Sequence, residues 1–125
     1  MLDQYRIFIG FDQKEATAFH TCVQSIVSNS SVPVSIVPLA LTTLESLYTE
    51  SHSDGSNDFI YSRFLVPFLT GYRGSAVFMD GDMVVESDIK MLFEEVDWKK
   101  AVQVVQHDYL TKSSSKYLGN KNENY

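Results

Sequence analysis

At 125 residues the chain has room for one domain, which excludes a multidomain enzyme within this length. Its composition, 44% hydrophobic, 21% charged and 13% aromatic, suits a globular protein and is too apolar for a disordered one. Sixteen acidic side chains against ten basic ones give a formal charge of −6 and a pI near 4.9. That is the wrong sign for a general binder of nucleic acid or anionic membrane, although a metal cation can still bring a phosphorylated ligand to such a surface.

The single cysteine, Cys22, excludes an internal disulfide framework. No apolar run approaches the roughly 18 residues of a spanning helix. The start, Met1-Leu2-Asp3-Gln4-Tyr5-Arg6, lacks the basic and apolar regions of a signal peptide, so a cytoplasmic location is expected.

The run Ile7-Phe8-Ile9-Gly10-Phe11, ending in Asp12-Gln13, fits a strand buried on both faces, over 6–11. Ala16, Phe19, Val23, Ile26 and Val27 then recur at spacings of three and four, one helical stripe. Cys22 sits at its edge and reads as a small buried hydrophobe, because no partner for a catalytic thiol is arranged around it. His20 lies just off the stripe. A second strand is expected over 34–38, with Pro38 marking an edge or terminus. Thr42 to Tyr48 can hold a short helix, and the polar stretch 51–58, with His52, reads as a loop.

Phe59 to Leu69 is mostly apolar and predicts a helix bent or broken near Pro67, followed by a turn at Gly71 or Gly74. The third strand is expected over 75–79, terminated by Asp80-Gly81-Asp82. Ser87 offers an N-cap, with Asp88 in the first turn and Ile89, Leu92, Phe93 and Val96 at helical spacing. A fourth strand is expected over 101–105, leading into Gln106-His107-Asp108. Phe19, Ile26, Phe78 and Val104 are expected to be buried. A domain over 1–110 and a polar segment over 111–125, read as an unfinished connection, complete the plan. The alternation of strands and helices is that of an open α/β fold with a mainly parallel sheet flanked by helices.

In such a sheet ligands bind beyond the carboxyl ends of the strands. Asp80-Gly81-Asp82 is the most informative cluster there. Residues two apart on an extended segment point to one side, roughly 6–7 Å apart, and Gly81 lets the backbone bend so that the carboxylates converge. Two like charges at the mouth of a buried strand repel unless a cation or a proton separates them. Oxygen-only ligands favour Mg²⁺ or Mn²⁺, ions that keep positions open for substrate phosphates.

These segments resemble the GT-A-fold glycosyltransferases, most closely glycosyltransferase family 8. The resemblance rests on Ile7-Phe8-Ile9-Gly10-Phe11-Asp12, on Tyr61-Ser62-Arg63-Phe64, and on Ala76-Val77-Phe78-Met79-Asp80-Gly81-Asp82-Met83-Val84-Val85. It spans roughly residues 6–108 and covers the first half of a typical member. It implies a Rossmann-like nucleotide-sugar-binding half and transfer of a hexose from a nucleotide-diphosphate sugar, UDP-linked, to an acceptor hydroxyl, with retention. Asp80 and Asp82 would be the D-x-D pair holding Mn²⁺ or Mg²⁺ against the donor diphosphate, with Gly81 between them. Arg63 would reach the donor sugar or phosphates; a salt bridge to a nearby acid is its alternative role. Phe11 and Asp12 would lie near the nucleotide base, Asp12 serving equally well as a plain turn residue. Asp108 would lie near the sugar. The family's histidine ligand, glycine-rich segment and lysine belong to its second half, so His107 is not assigned that role. This 125-residue form is therefore expected to bind a donor weakly and transfer little, unless an oligomer rebuilds the missing wall. Two other readings remain open: a nucleotide- and metal-binding half-domain without turnover, and a haloacid-dehalogenase-like phosphatase with Asp80 as nucleophile.

Overall fold

A computed structural model describes residues 5–49 and 61–108. Expectations for the 51–58 loop, for Phe59 and Ile60 and for the 111–125 segment lie outside these residues. The described part is a small α/β unit built on three parallel strands, β1 (Arg6–Gly10), β2 (Ser35–Leu39) and β3 (Ala76–Met79), in the order β2-β1-β3. Arg6 lies opposite Ser35 on one side and Ala76 on the other, so the three strands end nearly level at their carboxyl ends.

β1 is buried because it is central. Its Ile7 and Ile9 are fully inaccessible and point to one face, whereas Phe8 points to the other. Pro38 sits on β2, an edge strand, where a missing N–H breaks no second ladder.

Helix α1 (Ala16–Asn29) covers the Ile7/Ile9 face through Phe19, Cys22 and Ile26, with Ile89 completing that core. Cys22 is at the centre of the buried stripe, not its edge. Its thiol is raised by burial and then by the charge of Asp82, and its Sγ lies 3.9 Å from Met79 Sδ, so it packs as a hydrophobe. Val27, on the far side of the stripe, is exposed.

The opposite face is closed by Leu44, from the turns after β2, and by Val66. Residues Ser62–Leu65 form a 3₁₀ turn that runs directly into α2 (Val66–Leu69), with Pro67 in its first turn. The expected break near Pro67 is a change of helical pitch just before it. Proline is accommodated there because its fixed φ suits the first turn of a helix. The chain leaves α2 through Gly71, Tyr72 and Gly74, all at positive φ, and the Arg6 guanidinium binds the carbonyls of Thr70, Arg73 and Ser75 across that turn.

Helix α3 (Lys90–Glu94) is shorter than the 87–96 pattern suggests. Its cap is Asp88 and not Ser87: Asp88 Oδ1 accepts from Lys90 N at 3.0 Å and from Ser31 N at 3.2 Å, and the Ser31 hydroxyl donates to Oδ2. The Ser31 hydroxyl foremost, then the Lys90 amide, holds this carboxyl below its usual range.

Further expectations fail. Residues 101–108 form no strand and are exposed throughout, with Val104 84% accessible. Period-two β-branched residues become a strand only beside a hydrogen-bonding neighbour, and the described residues place none there. Phe78 is partly exposed: among the described residues β3 is the other edge of the sheet, and Phe78 packs beside the cluster of Phe8, Leu39, Leu44 and Val66 without being enclosed by it.

Candidate functional site

The level strand ends bring the β1–α1 junction beside Asp80-Gly81-Asp82. The approach is backbone to backbone: a Cβ built on Gly81 would stand 2.6 Å from the Gly10 carbonyl oxygen and 3.6 Å from Phe19 Cβ. Glycine is needed at this position for space, not for a special φ. The contact locks the loop carrying both aspartates onto the end of the central strand.

Four carboxylates share this corner. Asp12, Glu15, Asp80 and Asp82 are close enough that the other three all raise the Glu15 pKa, behind burial as the main cause and with Asp82 the strongest of them. Asp80 is also raised: burial leads, the Asp82 charge adds to it, and Arg63 only partly offsets them. Arg63 Nη2 donates to Asp80 Oδ1 at 3.3 Å, and its guanidinium lies 4.8 Å from the centre of the Phe78 ring. The sequence pattern thus placed the aspartate pair at a strand mouth, and the fold brings Arg63, 17 residues earlier, onto its first member.

Asp12 is buried, and its Oδ1 accepts from Lys14 N at 2.9 Å, capping the 3₁₀ turn Gln13–Glu15. It serves as a turn residue. Phe11 packs edge-on against Phe19 at 5.2 Å between centroids, beside the same junction. Asp108 lies in the exposed 101–108 stretch and, among the described residues, shares no hydrogen bond or ion pair with the corner.

Sequence reasoning missed Glu15 and Ser62. Glu15 follows Asp12 by three residues, a spacing that one 3₁₀ turn folds back toward the strand end. Ser62, beside Arg63, is fully buried, and its Oγ finds no hydrogen-bond partner among the described residues. Glu15 is flagged neither by hydropathy nor by a motif, whereas Ser62 stands in the Tyr61-Ser62-Arg63-Phe64 segment without a role of its own.

The donor set is all oxygen, suited to a hard divalent cation with water or ligand oxygens completing the shell. Among the described residues no group of three or more His, Cys, Asp or Glu is arranged to hold a metal ion. No described helix is long and apolar enough to cross a membrane.

Over 118 residues, 92% of this chain, the sequence is 41% identical to Protein CDI of Arabidopsis thaliana, and the matched part spans 46% of that protein. The chain thus covers about half the length of this curated relative. No family model matches the chain, and no solved structure matches it.

Proposed function

We propose that this chain is the donor-binding part of a metal-dependent glycosyltransferase of the GT-A type, taking a nucleotide-diphosphate sugar, UDP-linked, and passing its hexose to an acceptor hydroxyl. One observation carries the reading: Asp80 and Asp82 emerge from the carboxyl end of a parallel strand, next to the end of the central strand, with Arg63 on the first carboxylate. Anionic ligands of open α/β sheets bind at such a place.

Asp80 and Asp82 would hold Mn²⁺ or Mg²⁺. When bound, such an ion supplies charge neutralisation for the departing diphosphate. The protein's own groups have separate tasks. Burial is the main cause that raises Asp80 and Glu15, and neighbouring carboxylate charge adds to it; a cation between the carboxylates would relieve that added repulsion. Arg63 offers a permanent, forked positive charge for phosphate or sugar oxygens. Gly81 fixes the two aspartates against the Gly10 carbonyl, and the Asp12 cap sets the direction in which α1 leaves the site.

A second reading, binding of nucleotide and metal without turnover, draws on the pair of carboxylates being unaccompanied by a third ligand among the described residues. The two separate in one set of measurements. UDP is titrated, with and without Mn²⁺, into wild type, Asp80→Asn and Asp82→Asn, and donor-sugar hydrolysis is followed in parallel. We expect Mn²⁺ to tighten UDP binding in wild type only, with both variants keeping the wild-type melting midpoint. Equal UDP affinity in all three proteins, whatever the metal, refutes the assignment of the site. Metal-dependent binding with no hydrolysis or transfer selects the binding-only reading.

A further inference from the structure

The Arg63–Asp80 ion pair has a consequence for how the corner is loaded. We propose that Arg63 is an exchangeable counter-ion: it holds Asp80 while the carboxylates are without a cation, and it turns to the anionic ligand when a divalent cation displaces it. This rests on the donor-site reading above and adds to it a defined competition at Asp80.

The geometry has the features such an exchange needs. Between these two side chains the contact runs from Nη2 to Oδ1 at 3.3 Å and is not the two-point fork that would make the pair durable. Both ends are partly open to solvent, 32% for the Arg63 side chain and 44% for Asp80, so the pair is screened and weak. The guanidinium has a second resting surface, the face of Phe78, which would keep the charge near the corner after Asp80 is lost. The backbone beneath it is fixed: Ser62 and Val66, flanking Arg63 on the same turn, are both buried. Only the side chain needs to move.

The electrostatics set the direction. With Glu15, Asp80 and Asp82 crowded together, Arg63 relieves part of the repulsion. A divalent cation between Asp80 and Asp82 relieves more of it and repels the guanidinium. The displaced charge then favours a ligand bearing its own negative charge, such as a diphosphate, so cation and anion should bind cooperatively through Arg63.

The experiment measures Mn²⁺ alone by the electron paramagnetic resonance of the free ion, at low ionic strength, in wild type, Arg63→Gln and the Asp80→Asn/Asp82→Asn double variant. UDP titrations at saturating Mn²⁺ follow. We expect R63Q to bind Mn²⁺ about two- to fivefold more tightly than wild type, the worth of one half-exposed ion pair, and to bind UDP less tightly in the presence of Mn²⁺. In wild type, titration with Mg²⁺ should shift the Arg63 Nε–H nuclear magnetic resonance, a readout that does not depend on a variant folding. If R63Q binds Mn²⁺ no better than wild type, or the Arg63 resonance stays fixed while Mg²⁺ binds, the exchange is overturned, while loss of Mn²⁺ uptake in the double variant still supports the carboxylate site. If the double variant takes up Mn²⁺ as well as wild type, or neither wild type nor R63Q takes it up, the site assignment itself falls, and the exchange with it.

Discussion

Replacing Gly81 with alanine puts a methyl carbon 2.6 Å from the Gly10 carbonyl oxygen, well inside the closest distance that a Cβ tolerates. The obstacle is backbone of the central strand and cannot rotate away, and the next neighbours, Phe19 Cβ at 3.6 Å and Phe19 Cα at 3.7 Å, block retreat toward α1. The 80–82 loop must therefore lift off the end of β1. Overpacking of this kind costs about 1–3 kcal/mol. For a domain of this size that corresponds to a fall in melting temperature of about 4–12 °C. Because the same loop carries both aspartates, the displacement should also weaken Mn²⁺ binding. Differential scanning calorimetry of Gly81→Ala beside Gly71→Ala is the assay. Gly71 has φ +61° and nothing within 4 Å of an added methyl, so its variant reports backbone strain without a clash. A melting point for G81A within 1 °C of wild type, in repeated scans, would show that the two strand ends are not in the contact described, and the reasoning that locks the site to β1 would be wrong.

The protonation of Asp80 offers a second test. Its folded-state pKa lies above the ordinary 3.8, so the fold favours its protonated form; that contribution is complete below the ordinary value and is lost as pH rises through the folded value. Carboxyl-carbon resonances should show Asp80 titrating above 3.8 in wild type and closer to it in Asp82→Asn, where one cause of the rise is gone; a wild-type midpoint at or below 3.8 contradicts the crowding. Core and surface substitutions should separate cleanly. Ile26→Ala, at a fully buried position, should lose about 2–5 kcal/mol in urea denaturation. Val104→Ser, at an exposed one, should stay within about 0.5 kcal/mol of wild type, and a larger loss would mean that residues 101–105 are packed after all.

Much of the sheet was legible without coordinates. Ile7-Phe8-Ile9 is apolar at successive positions, which only a strand covered on both faces requires, and β1 is the central strand. The three-and-four spacing through Phe19 and Ile26 marked the buried side of α1, although it put Cys22 at the edge of the stripe and counted the exposed Val27 within it, and Asp80-Gly81-Asp82 marked the end of β3. These signals are local: each is carried by residues within one element, whose periodicity records which face meets the core.

What depends on neighbours could not be read in this way. Val102, Val104 and Val105 have strand chemistry yet lie exposed, because a strand is defined by a partner that its own sequence does not contain. Whether Arg63 reached a ligand or an acid was undecidable along the chain, since its distance from Asp80 is set by how the 62–69 segment crosses the sheet. Glu15 joined the aspartates only through the turn that Asp12 caps. Hydropathy and backbone preference, both short-range, were enough to set the three strands, the main helix and the placing of two carboxylates at a strand mouth. The strand order, the lack of space that makes Gly81 irreplaceable and the charge balance at the corner came only with folding, because Coulomb and steric forces act between residues that are distant along the chain until it closes on itself.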